Sequence, residues 1–132
     1  KKIEEDKKKK IVYGSRVLNK KRYKKAQNFS HSLRIIGNIF LTKLSNIINN
    51  QNLTDAHTCY KLFESDLFKS IKLKENDFSF CPEITTKVSL LEEKITEIPI
   101  NYNGRTYNEG KKIKASDGFK AIYVLLKYKF FK

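Results

Sequence analysis

From Phe29 onward the apolar residues fall at helical intervals. Phe29, Leu33, Ile36, Phe40, Leu44 and Ile47 are separated by 4, 3, 4, 4 and 3 positions, which is one face of an α-helix. Ile35, Ile39, Leu41 and Ile48 widen the stripe, so this helix is expected to be well buried or to lie partly against lipid. The polar run "NNQN" at 49 to 52 ends it. A second pattern of this kind closes the chain: Phe119, Ile122, Leu126 and Phe130 follow at spacings of 3, 4 and 4. They predict an amphipathic helix over 116–131, with Ser116 or Asp117 as its cap. Lys120, Lys127, Lys129 and Lys132 flank that stripe. A basic helix with an aromatic-rich apolar face can lie in the plane of a membrane interface. It can equally pack on its own domain, and periodicity alone does not separate the two.

Between and before the helices the period shortens. "IVYG" at 11 to 14 is apolar and β-branched and ends in glycine, hence a strand and a turn. "TCYKLF" (58 to 63) reads as a short strand, "ESDLFKSI" as a short helix starting near Ser65 or Asp66, and "NDFSF" as strand or turn. Pro82 sits where a helix can begin, and Ile84, Val88 and Leu91 mark one side of that helix. In "KITEIPINY", Ile95, Glu97 and Pro99 alternate with Thr96, Ile98 and Ile100. Pro99 places this strand at a sheet edge or at its own end. Strands alternating with helices predict an α/β fold, although only three or four short strands can be counted.

Composition changes the picture in three ways. The 132 residues suffice for one small domain with a core. There is no methionine and the first residue is Lys1, so either a processed N-terminus or a piece of a longer protein is expected. The charged first ten residues show no signal-peptide pattern, and no apolar run approaches the roughly 18 to 20 residues of a membrane-spanning helix. The net charge of +14 is uneven: residues 1–34 carry 13 basic and 3 acidic side chains, residues 35–104 carry 7 and 9, and residues 105–132 carry 8 and 2. Basic ends suggest an anionic partner, whether phosphate, membrane surface or nucleic acid. For Lys1, Lys2 and Lys7 to Lys10 a plain solvated segment is the simpler reading. Cys59 and Cys81 show no metal-type spacing and are expected as buried thiols of a reducing compartment, with a disulfide between them left open. His31 and His57 read as structural or surface residues.

The stretch "INYNGRTYNEGKKI" at 100 to 113 concentrates Arg105, Lys111 and Lys112 on a segment punctuated by Gly104 and Gly110, directly after a strand. On residues alone this is an ordinary basic turn. It gains meaning from a resemblance carried by four stretches in order: "IVYGSR" (11 to 16), "NLTDAHTCYKLF" (52 to 63), "FSFCPEITTKV" (78 to 88) and "EIPINYNGRTYNEGKKI" (97 to 113). Together they resemble the C-terminal half of family-2 glycosyltransferases, in particular the polyprenyl-phosphate sugar synthases of the dolichyl-phosphate mannose synthase type. The likeness covers about residues 11 to 126. It departs at Ala56 and His57, where relatives often carry a bulkier apolar residue and an acid.

The resemblance implies a partial GT-A fold: an incomplete sheet with packed helices and a C-terminal amphipathic helix, the nucleotide- and metal-binding half lying upstream. It implies transfer of a sugar from a nucleotide-sugar to a polyprenyl phosphate, or another lipid acceptor, at the cytoplasmic face of a membrane. A divalent metal (Mg or Mn) is expected in the full-length enzyme. Its ligands are not expected in this chain, which has no Asp-x-Asp pair, and the fragment alone is expected to be inactive. A phosphate acceptor is already anionic and needs positioning more than deprotonation, while charge on acceptor and leaving diphosphate calls for preorganised cations. Arg105, Lys112 and Lys111 are therefore expected to clamp phosphates, with Gly104 and Gly110 as hinges. Arg16 is expected to face the acceptor phosphate, and Arg34 and Arg22 are weaker candidates. Asp55 is expected at the site floor, positioning acceptor or a basic side chain; an Asx turn is the alternative. Glu83 is expected to orient the acceptor, against the simpler reading of a carboxylate favoured by a helix N-terminus. The two apolar helices would serve the lipid tail and the bilayer surface. The competing classes are a basic nucleic-acid-binding module, disfavoured because the aromatics lie mainly on helical apolar faces, and a non-catalytic domain on anionic membranes.

Overall fold

The computed structural model describes residues 10–18, 29–102 and 114–131. Its architecture is α/β. Among these residues the order is β1 (Ile11–Ser15), α1 (Phe29–Asn49), β2 (Lys61–Phe63), α2 (Ser65–Ser70), α3 (Phe80–Leu90), β3 (Thr96–Pro99) and α4 (Ala115–Phe130). The strands form one mixed sheet in the order β2-β1-β3. β1 runs antiparallel to β2, with Val12 opposite Leu62, and parallel to β3, with Val12 opposite Thr96 and Ser15 opposite Pro99. Pro99 thus ends an edge strand, where a missing N–H costs no ladder bond. Pairing resumes at Ile100, whose N–H donates to Ser15 O at 3.0 Å.

β1 is buried along its whole length because it is central and covered. Ile11 and Tyr13 cluster with Leu53, Ala56, Ile71, Ile84 and Val88 as the core. The Tyr13 hydroxyl reaches Thr85 Oγ1 at 3.1 Å, which keeps its polar end satisfied inside. Gly14 is required by close approach: a Cβ there would lie 2.7 Å from Ile100 Cγ2 and 2.9 Å from Tyr60 Cβ. The expected strand at 58 to 63 shortens to Lys61–Phe63, and "NDFSF" is a turn in which Asp77 Oδ1 accepts Ser79 N–H at 2.8 Å. α3 then starts two residues before Pro82 and is buried nearly throughout. It packs against α1 and α4, which also touch each other.

Both long helices turn a different face inward from the one their strongest apolar periodicity marks. In α1, Leu33, Ile36, Phe40 and Ile47 are exposed, while Thr42, Ser45 and Asn49 are buried. In α4, Ala121, Val124, Leu125 and Tyr128 are buried, while Phe119 and Phe130 are exposed. Each helix carries two usable stripes, and packing selects the one whose shapes and hydrogen bonds fit its neighbours. The α1 seam fits a loop rich in backbone polar groups. The α4 seam offers small and medium side chains to α3, and its Tyr128 hydroxyl donates to Glu75 at 2.9 Å. α1 ends as expected, with Asn50 in the left-handed region (φ 49°), a conformation asparagine tolerates. At the start of α4, Asp117 accepts the Lys114 N–H at 2.7 Å.

Candidate functional site

The parallel pairing of β1 and β3 brings their C-terminal ends to the same sheet edge, the place where open α/β sheets bind ligands. β1 ends in Ser15, whose hydroxyl accepts the N–H groups of Val17 (3.2 Å) and Leu18 (3.0 Å). This side-chain turn swings the backbone round so that Arg16 faces the loop holding Asp55. The contact is bidentate: Arg16 Nε donates to Asp55 Oδ2 at 2.6 Å and Nη2 to Oδ1 at 2.7 Å. The Arg16 N–H adds a third bond to Oδ2 at 3.1 Å, and Asn38 Nδ2 reaches Oδ1 at 3.4 Å. Asp55 is fully buried and the Arg16 side chain mostly so.

Glu97 of β3 holds this loop from the other side. Its Oε2 accepts Thr54 N–H (2.7 Å) and the Thr54 hydroxyl (2.8 Å), and its Oε1 accepts Asp55 N–H (3.0 Å). The polar seam of α1 completes the hold. Asn46 donates to Leu53 O at 2.8 Å and accepts Leu53 N–H at 2.9 Å, and Thr42 Oγ1 accepts Ala56 N–H at 3.3 Å. Asp55 is therefore placed by two elements, β3 and α1, before it touches Arg16.

Electrostatics fix the protonation states. Burial alone pushes the Asp55 carboxyl up, but the hydrogen bonds and charge of Arg16 outweigh it and hold it below the ordinary range. Burial likewise opposes the Arg16 charge, and the bond to Asp55 more than restores it. An Asp held this firmly ionised is a poor proton shuttle and a good anchor for a cation. Beside it, the buried Lys61 ammonium donates to Ala56 O at 3.0 Å and sits 3.7 Å from the centre of the Tyr13 ring. Burial lowers it to about 8. Burial, then the nearby Lys61 charge, lowers His57 to about 4, and its Nε2 is buried without a hydrogen-bond partner among the described residues.

The guanidinium carbon of Arg16 lies 5.2 Å from the centre of the Tyr102 ring. Tyr102 is the last described residue before 103–113, so the segment carrying Gly104, Arg105, Gly110, Lys111 and Lys112 departs from beside Arg16; those five residues lie outside the described residues. Arg22 does too, while Arg34 is on α1. Glu83 belongs to a different set of contacts. Fully buried in α3, it accepts Lys74 N–H and Glu75 N–H, each at 2.8 Å, and Lys87 Nζ at 2.5 Å. It thereby pins the chain between α2 and α3. Its hydrogen-bond partners are separate from those of Arg16 and Asp55. Cys81 is buried as expected, whereas Cys59 is exposed, because it sits at the tip of a turn outside the sheet.

Ser15, Asn38, Thr54 and Glu97 are members of the site that sequence reasoning passed over. A carboxylate inside the apolar run "ITEIPI" was the available signal for Glu97. Among the described residues no three His, Cys, Asp or Glu side chains gather so as to hold a metal ion. No helix of the described residues is long and apolar enough to cross a membrane. Comparison with protein-family models, with curated proteins and with solved structures gives no match.

Proposed function

We propose that this chain forms the acceptor side of a family-2 glycosyltransferase of GT-A type, moving a sugar from a nucleotide-sugar to a polyprenyl phosphate. The observation that carries the reading is Arg16, fixed by a buried Asp55 at the edge where β3 leads through Tyr102 into the basic segment 103–113. In this reading Asp55 is a positioning residue. It spends its charge on Arg16 and takes no proton, in keeping with an acceptor that is already an anion. Arg16 brings positive charge to the sheet edge, and in this reading Arg105, Lys111 and Lys112 add to it at the phosphate oxygens, which accumulate charge during transfer. Glu83 holds the α2–α3 connection through hydrogen bonds separate from those of Arg16 and Asp55. The nucleotide and its metal are assigned to an upstream half.

The outward stripes of α1 and α4 supply the surface for a lipid-tailed acceptor and a membrane face. Ile47 is 80% and Phe119 76% exposed, with Lys43, Lys114 and Lys120 exposed on the same two helices or at their ends. Lysines near an anionic leaflet contribute about 1 kcal/mol each. The test is sugar transfer to a polyprenyl phosphate by the longer enzyme carrying this chain. Arg105→Ala is expected to stay folded by circular dichroism and to lose roughly 100-fold or more in turnover, as for loss of a charge-stabilising donor. Unchanged turnover would remove Arg105 from the site. Steeply salt-dependent binding of single-stranded RNA, with no transfer, would favour the nucleic-acid class instead.

A further inference from the structure

The turn before β2 holds a feature that the transfer reading does not use. Thr58 Oγ1 donates to Gly14 O at 2.7 Å and accepts Tyr60 N–H at 3.2 Å, while Tyr60 O accepts Gly14 N–H at 2.8 Å. Cys59 is therefore the exposed tip of a turn whose two flanks are fastened to β1. Directly beneath it, Cys81 in the first turn of α3 is buried, and its Sγ lies 3.7 Å from Thr58 O. Cys59 and Cys81 both line one small recess of about 290 Å³, with Asp77, Phe78 and Phe80. We propose that Cys59 and Cys81 are an oxidisable dithiol, a modification site in which hydrogen peroxide converts the pair to an intramolecular disulfide.

The roles follow from the surroundings. A hydrogen bond from Cys81 acidifies the Cys59 thiol despite partial burial, and the charges of Arg16 and Lys61 add to the effect. A thiolate that is also exposed is the nucleophile of the pair. The Cys59 sulfur attacks one peroxide oxygen and the O–O bond breaks. The departing hydroxide takes a proton and becomes water, leaving Cys59 as a sulfenic acid. Hydrogen bonding to the Cys59 thiolate, then burial, pushes the Cys81 thiol up. Cys81 is the second thiol at the same recess. Its sulfur attacks the Cys59 sulfur, its proton leaves with the hydroxyl as a second water, and the S–S bond forms. Two thiols are oxidised and one peroxide is reduced to two waters.

Oxidation ties the 58–60 turn to α3. Because Thr58 and Tyr60 both bond to Gly14, two residues before Arg16, the disulfide also stiffens the strand that presents Arg16. This inference is independent of the sugar-transfer reading, since it concerns only the thiols. The experiment is peroxide treatment of the purified chain followed by intact-mass measurement and peptide mapping. The wild type is expected to lose two hydrogens, to yield a Cys59–Cys81 cross-linked peptide and to gain a higher thermal midpoint. Cys81→Ser is expected to stop at a Cys59 sulfenic acid that a dimedone probe captures. Cys59→Ser is expected to leave Cys81 unmodified. A wild type whose Cys59 proceeds to sulfinic acid or an intermolecular dimer, with Cys81 still open to alkylation after unfolding, would overturn the proposal. Independently of any variant, Cys59 alkylation in the wild type is expected to titrate below the ordinary thiol value of about 8.5; titration at that value or above would count against the proposed nucleophile.

Discussion

The inner faces of α1 and α4 solve the same packing problem with opposite chemistry. α4 presents Ala121, Val124, Leu125 and Tyr128 to its neighbours, a mainly apolar stripe. α1 presents Asn38, Thr42, Asn46 and Asn49, which bond Asp55, Ala56, Leu53 and Thr86 in turn, and Ser45, which accepts from Asn49 within the helix. An apolar stripe supplies adhesion that scales with buried area and tolerates exchange of shapes of equal volume. A polar seam supplies direction, because each bond has a preferred length and angle and each broken bond leaves a buried group unsatisfied. The segment that must be placed accurately, residues 53–56 with Asp55, is the one served by the polar seam. The segment that needs only to be held, α3 against α4, is served by the apolar one.

The largest effect should come from breaking what the seam positions. Asp55→Ala leaves Arg16 largely buried without its carboxylate and is expected to cost about 3 kcal/mol or more in urea unfolding. The contribution of Asp55 also has a pH signature. Its carboxyl lies below its unfolded value of about 3.9, so the stabilisation is complete above that pH. It is lost as pH falls through the lower folded value. Stability that fell no faster for the wild type than for Asp55→Asn below about pH 4 would separate Asp55 from this role.

A middle-sized effect should distinguish the two inner faces. Asn46→Ala removes both bonds to Leu53 and is expected to cost about 1–3 kcal/mol. Leu125→Met keeps volume and apolarity and should cost less than about 1.5 kcal/mol. Equal losses in chemical denaturation would mean that direction matters no more than adhesion. The smallest effect on stability belongs to the outer faces. Phe119→Ser with Phe130→Ser should change unfolding free energy by no more than about 0.5 kcal/mol per site. The same pair should visibly weaken co-sedimentation with anionic vesicles, and vesicle binding that did not change would take the membrane away from this surface.

Much of the fold was legible in the chain. β1 announced itself in "IVYG", and its Gly14 proved to be demanded by Ile100 and Tyr60. Both long helices were legible from their period, yet the inward face was not. The reason is visible in α1: residues 38, 42, 45, 46 and 49 recur with the same helical period as the apolar stripe. A hydropathy rule reads only one of the two stripes and assigns it to the core. Asp55 and Arg16 could each be singled out from local motifs. Asp55 was expected to position acceptor or a basic side chain, but that this side chain is Arg16 was not legible, because the pairing depends on a parallel strand contact and on Glu97, which is distant in sequence. Glu83 shows the converse case. Its position at a helix start was readable, but its role follows from Lys74 and Glu75, whose amides reach it only after the chain has turned back.

Arg16→Lys, assayed for the proposed transfer of sugar to a polyprenyl phosphate, is the decisive experiment. Lysine keeps the positive charge but not the planar fork that Asp55 grips, so the variant should remain folded while its cation sits out of place. Roughly tenfold or greater loss of kcat/KM for the polyprenyl phosphate, with KM for the nucleotide-sugar unchanged, is the expected result. Wild-type kcat/KM for the lipid phosphate in a folded Arg16→Lys enzyme would show that the Arg16–Asp55 pair is scaffolding alone.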